Sequence, residues 1–186
     1  MSIQPYKQTT SESCLACCLL QLRNLHTGKK ITKKDEIDML FYALKFSKMD
    51  FVAGHLNWLE KRQGIKTKRI VHNKILYELV KEHCKTDMEV RKINMVLIDS
   101  MLKKNPVTLI VDSGPLYNHL YKMIPYHYPH WIIIYGKDKD NYKIYEPWEG
   151  KEAAVPEKLL KDCLKSYLNR LWGAPQLIAL NQKLYI

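Results

Sequence analysis

Apolar residues recur at helical intervals near the start of the chain. Leu15, Cys18, Leu19, Leu22 and Leu25 lie three or four positions apart and Gly28 follows Thr27, so the spacing predicts a helix from about residue 11–14 to 25. Thr9-x-x-Glu12 reads as a capping box, with Ser11 or Ser13 as alternative caps, and each choice leaves Cys14 in the first turns. A second helix opens at Thr32-Lys-Lys-Asp35, with Ile37, Leu40, Phe41 and Leu44 as its apolar stripe. A third covers about 50–62 with Phe51, Leu56 and Leu59 turned inward. Gly64 separates it from a short segment, 65–71, after which helices over about 73–83 and 89–103 lead to Asn105-Pro106.

Beyond Pro106 the period changes. Residues 107–111 and 130–135 are short runs rich in β-branched side chains and read as interior strands; 142–145 follows a turn through Asp138, Lys139, Asp140 and Asn141. Between the first two strands, 113–129 is rich in Pro, Tyr and His and reads as a loop. A helix is expected over 156–168, striped by Leu159, Leu160, Cys163, Leu164 and Tyr167, and a returning strand over 176–180. The pattern describes one α+β domain spanning 1–186, a helical N-terminal half followed by a mainly antiparallel sheet.

Composition narrows the function classes. Hydrophobic residues are 46% and charged residues 26% of the 186 positions, which excludes a disordered or low-complexity chain. The opening residues lack the apolar core of an export signal, and the longest apolar run, 131–135, is far too short to span a bilayer, so a cytoplasmic protein without an integral membrane segment is expected. Thirty Lys and Arg against 19 Asp and Glu give a net charge of +11. The cations are scattered through the helices and turns with no finger spacing or basic arm, so no nucleic-acid partner is expected.

Five cysteines, at 14, 17, 18, 84 and 163, are an odd number and do not form a disulfide scaffold pattern. Cys14-Leu-Ala-Cys17 has redox-motif spacing, but nothing completes a zinc site, and Cys17, Cys18, Cys84 and Cys163 read as small buried apolar residues. Cys14 differs, because it follows the polar run Gln8-Thr-Thr-Ser-Glu-Ser13 at a helix start, where first-turn N–H groups favour thiolate. A thiol nucleophile needs a base oriented by a third group. His130 begins the strongest strand and Glu146 ends the next, so a hairpin brings them to one end; Asp112 is an alternative orienter, and the Gln8 amide can donate to an oxyanion. His119, His127 and His130 lack the spacing of a metal motif, and no metal or cofactor is expected. Tyr126, Tyr128, Trp131 and Trp148 read as walls or core.

The run Gln8-Thr-Thr-Ser-Glu-Ser-Cys14-Leu-Ala-Cys17, with the later run from His130 through Glu146-Pro147-Trp-Glu-Gly150, resembles the C39-like branch of the papain-like cysteine peptidases. That resemblance implies a papain-like fold, with Cys14 as nucleophile, His130 as base and acid, Glu146 as the orienting carboxylate and Gln8 as oxyanion donor. It implies thiol-dependent hydrolysis of a peptide or amide bond, with acyl transfer by the same residues, or a non-catalytic binding module, as the alternatives. Leu15 stands where the family has Gly, and Glu146 where it has Asp.

Overall fold

A computed structural model of the chain describes residues 3–46, 50–124, 126–171 and 173–181. A mixed seven-stranded sheet forms the middle layer. Its strands are β1 (Thr67–Val71), β2 (Asp87–Val90), β3 (Val107–Asp112), β4 (Pro129–Asp138), β5 (Asn141–Glu146), β6 (Lys151–Pro156) and β7 (Gln176–Leu180), in the spatial order β2-β1-β7-β3-β4-β5-β6. Only β1 and β2 run parallel; the other neighbours are antiparallel. Helices α1 (Cys14–Thr27), α2 (Lys33–Phe46) and α3 (Phe51–Gln63) build one apolar layer with Trp131, Ile133 and Tyr145 of the sheet. On the opposite face, α5 (Met95–Leu102), α6 (Ser113–Tyr121) and α7 (Glu157–Arg170) pack with Ile132, Ile134 and Ile144, so the strand alternation divides the core in two. The short α4 (Lys74–Val80) leans on β1 and β2.

This architecture corrects the expected division into a helical half followed by a sheet. Helices and strands are interspersed: β1 and β2 lie in the first half, and α6 and α7 in the second. The segment read as a helix over 89–103 begins as strand β2, and the helix proper starts at Met95, capped by Asn94, whose side chain accepts from the Leu97 N–H. The reason is non-local pairing. β1 is buried because β7, more than a hundred residues later, lies beside it in the register Arg69↔Ile178. Its Arg69 guanidinium, 1% exposed, reaches the α3 cap Asp50 at 2.5 Å and Gln176 of β7 at 2.7 and 2.9 Å, joining three distant segments.

The stretch read as a loop over 113–129 begins with α6. Gly114 and Pro115 fall in its first turn, where Pro is tolerated because its missing N–H has no helical partner, and Asp112 caps it by accepting the Gly114 N–H at 2.9 Å. On α2 the buried face is Glu36, Met39, Leu40 and Ala43, whereas Phe41 and Leu44 of the expected stripe are more than half exposed. Among the described residues, no helix is long and apolar enough to cross a membrane.

Candidate active site

Cys14 is the first residue of α1, and Ser13 stands at the cap. Ser13 does not cap with its own side chain; its hydroxyl donates to Glu36 on α2. The same buried carboxylate accepts from the Thr9 N–H at 2.7 Å, the Tyr6 hydroxyl at 2.5 Å and the Cys17 thiol. Glu36 therefore moors the segment that leads into Cys14, a role invisible in a sequence where it sits among the charged positions of α2. Further pins come from the other side. Tyr145 donates to the Tyr6 carbonyl, the Gln8 N–H donates to the Pro147 carbonyl at 2.8 Å, and Gly150, at φ 66°, lies so close that a Cβ would meet the Tyr6 and Lys7 backbone at 2.6 Å.

Cys14 and Cys18 share one side of α1, and both dock on Trp131 of β4. Cys18 Sγ donates to the Trp131 carbonyl at 3.4 Å. That seat brings Cys14 near His130, the preceding residue of β4, close enough for each side chain to shift the other's proton affinity. His130 Nε2 lies 2.8 Å from Glu146 Oε1, which leaves Nδ1 for the sulfur. The turn between β4 and β5 brings them together, with Ile133 opposite Tyr145.

Glu146 is fully buried and well supplied with donors. Besides His130, its Oε1 accepts from the Trp148 N–H at 2.7 Å and Tyr117 Oη at 3.2 Å; Oε2 accepts from Tyr121 Oη at 2.6 Å and the Glu149 N–H at 3.0 Å. The side chain folds back onto the N–H groups of its own turn, which orients it. Tyr117 and Tyr121 were not legible as site residues, because their four-residue spacing points both at one carboxylate only once 113–121 is helical. Burial raises the pKa of both phenols, and the Glu146 carboxylate adds to the rise, so both stay protonated as donors.

Cys14 and His130 favour each other's charged forms. Burial alone raises a thiol, yet the neighbouring His130 imidazole and the N–H groups of Trp131 and Leu15 outweigh it, holding Cys14 below the ordinary thiol value. Burial would likewise lower His130, but Cys14 and Glu146 overcome it and lift the imidazole to about 9. Glu146 is held below the carboxylate norm by His130, Tyr121 and the turn despite its burial. The other thiols behave oppositely: burial and Glu36 push Cys17 up, burial and neighbouring charges push Cys18 up, and burial lifts Cys163 to about 12. Cys14 and Cys17, two halves of a possible redox motif, are both free and turn to different partners.

The remaining candidates separate from this centre. Asp112 holds His127 Nδ1 at 2.6 Å and Ser166 Oγ at 2.5 Å, so it ties the segment before β4 to α7 and does not orient His130. His119 is exposed on α6, and no group of three or more His, Cys, Asp or Glu among the described residues is placed to hold a metal. Gln8 is buried beside the Pro147 turn; its Nε2 donates to the Thr10 carbonyl at 2.8 Å, and its Oε1 has no partner among the described residues. Leu15 is 1% exposed in the core and does not line the cleft, so its extra bulk is absorbed inward.

Cys14 and His130 are both buried and line neither of two adjoining surface cavities that share Ser11 and Trp148. One, of about 390 Å³, is walled by Tyr117, Met123, Ile124, Tyr126 and Tyr128; the other, of about 230 Å³, is bordered by the polar residues 7–10. Compared with protein-family models and with curated proteins, the chain matches none. The arrangement is a thiol with a lowered proton affinity near an imidazole with a raised one, whose Nε2 lies 2.8 Å from a buried carboxylate.

Proposed function

We propose that the chain is a cysteine enzyme that cleaves a peptide, amide or thioester through an acyl-enzyme on Cys14, as the resemblance to C39-like cysteine peptidases implies. One observation carries this reading: His130, next to the Trp131 seat of α1, is held by the buried Glu146 at 2.8 Å, and this imidazole favours the thiolate of Cys14. The sulfur forms a bond to the carbonyl carbon, and the carbonyl oxygen takes the negative charge. As the oxyanion collapses, the bond to the leaving group breaks and His130 gives that group its proton. Gln8 Nε2 keeps a second N–H beyond its bond to Thr10, and we assign it, with the backbone N–H of Cys14, to the oxyanion. Water, deprotonated by His130, then attacks the thioester carbon, releasing the acid and restoring the Cys14–His130 pair.

A hydrolase acting in the cytoplasm on a peptide or acyl substrate is the reading we favour. An amine acceptor in place of water would make the same intermediate an acyltransferase. The test is intact-protein mass measurement after exposure to a mixed panel of thioesters, activated esters and peptides. The expected result is a single acyl adduct, absent from Cys14→Ala and lost on standing in buffer. An adduct that persists in water but moves to an added amine would shift the reading to acyl transfer; no adduct with any panel member would refute catalysis.

A further inference from the structure

The larger of the two cavities is almost entirely apolar and is built onto the catalytic group itself. The Tyr117 and Tyr128 rings meet the His130 ring edge-on at 5.4 and 6.0 Å between centroids, and Tyr117 Oη lies 3.3 Å from His130 Nε2. Across from them, Trp148 is fixed by its N–H on Glu146, and Ser11 stands three residues before the nucleophile. The outer wall carries side chains that water would ordinarily disfavour: Ile124 is 90%, Tyr126 73% and Met123 51% exposed, and Trp148 opposite is partly open at 38%. Such side chains clustered around a concave surface mark a binding site more often than a chance patch.

Residues 126–128 of this wall are pinned by hydrogen bonds. Ser113 donates to the Tyr126 carbonyl at 2.7 Å, the Tyr128 N–H donates back to Ser113 Oγ at 3.2 Å, and Asp112 grips His127 between them. His127 lies over Gly114 so closely that a Cβ there would sit 2.6 Å from its Nδ1. Tyr126 and Tyr128 are thus fixed in a wall, their rings 5.7 Å apart, in a groove of about 390 Å³ at the small end of ligand pockets, which run from roughly 300 to 1,000 Å³. That room suits one bulky side chain or a medium acyl chain.

We propose that the substrate of the Cys14 site carries a large apolar group, an aromatic or medium aliphatic chain, beside the carbonyl that is attacked, and that this group seats between Trp148 and the wall of Met123, Ile124, Tyr126 and Tyr128. The inference rests on the assignment of Cys14 as nucleophile. Burying one methylene is worth about fourfold in binding, so lengthening a chain by four carbons in the groove is expected to raise acylation on the order of a hundredfold.

The test uses simple thioesters in two series, one with acetyl, butanoyl and hexanoyl groups on a constant small thiol, the other with a constant acetyl group on thiols of growing chain length. Acylation of Cys14 is followed by intact mass, and iodoacetamide, which has no apolar tail, separately reports the thiolate. A steep rise with chain length in either series, flattened in Ile124→Ser and Tyr126→Ser, supports the proposal. Equal rates throughout, or a rise that both variants leave intact, overturn it while leaving Cys14 as nucleophile. Failure of both iodoacetamide and every thioester to modify Cys14 instead removes the reading beneath it.

Discussion

Replacing Glu146 by Gln is expected to narrow the pH range of Cys14 chemistry from both sides. The amide keeps the shape of the carboxylate and removes its charge, leaving one oxygen for five donors. The least costly arrangement keeps that oxygen toward His130 and the Trp148 N–H and turns the amide NH₂ toward Tyr121 and the Glu149 N–H. Tyr121 can rotate its hydroxyl to accept, whereas the backbone N–H of Glu149 cannot, so one unsatisfied donor costs about 1–3 kcal/mol of stability. The imidazolium also loses a charge-assisted hydrogen bond worth about 1.5–3 kcal/mol, or roughly ten- to a hundredfold in acylation rate.

The direction with pH follows from the roles. His130 must be protonated to give its proton to the leaving group, and that form is lost in the parent as pH rises through about 9. Without Glu146 the imidazole loses one of the groups that lift it, and the alkaline limb moves down. Cys14 must be a thiolate, which His130 favours; with a less protonated neighbour its value climbs, and the acid limb moves up. Acylation by a small thioester, followed by mass across pH, gives both limbs. A variant whose limbs coincide with the parent's would refute the claim that Glu146 sets the charge of His130.

Three other substitutions probe the supports. Tyr121→Phe removes the 2.6 Å donor to Glu146 and is expected to slow acylation about tenfold with little loss of fold, measured by rate and thermal melting side by side. Glu36→Gln sets an amide among the donors of Tyr6, Thr9, Ser13 and Cys17 and should cost about 1–3 kcal/mol in urea denaturation. Burial opposes the charge on Glu36, but these donors hold its pKa below 4.5, so its contribution is present above that pH and fades as pH falls through the folded-state value; the variant should lack this acid-sensitive part. Gly54→Ala drives a Cβ to 2.6 Å from Ala43 Cα where α2 and α3 touch, and should cost about 1–3 kcal/mol by thermal melting; an unchanged midpoint would contradict that packing.

What could be read from the sequence was local. Cys14 at a helix start and His130 with Glu146 at one end of a hairpin depend on short spacings, and the turn over 138–141 fixes the pairing of Asp138 with Asn141. The order of the sheet depends on β7 inserting between β1 and β3, a pairing that no local pattern in 65–71 announces. Gly114 and Pro115 looked like loop residues because the same residues that end a helix are tolerated in its first turn, and misreading them hid Tyr117 and Tyr121. Glu36 was hidden because a buried carboxylate with four donors has the same one-letter pattern as a solvated one.

The central claim is that Cys14 is held as a thiolate by His130. Brief labelling with iodoacetamide at about pH 6, where an ordinary thiol is less than about 1% ionised, followed by peptide mapping, tests it most directly. The account expects Cys14 to be modified well ahead of Cys17, Cys18 and Cys163 in the parent, and that lead to vanish in His130→Ala, which returns Cys14 to the behaviour of a buried thiol. Faster labelling of another of these cysteines, or equal labelling of Cys14 with and without His130, would contradict it.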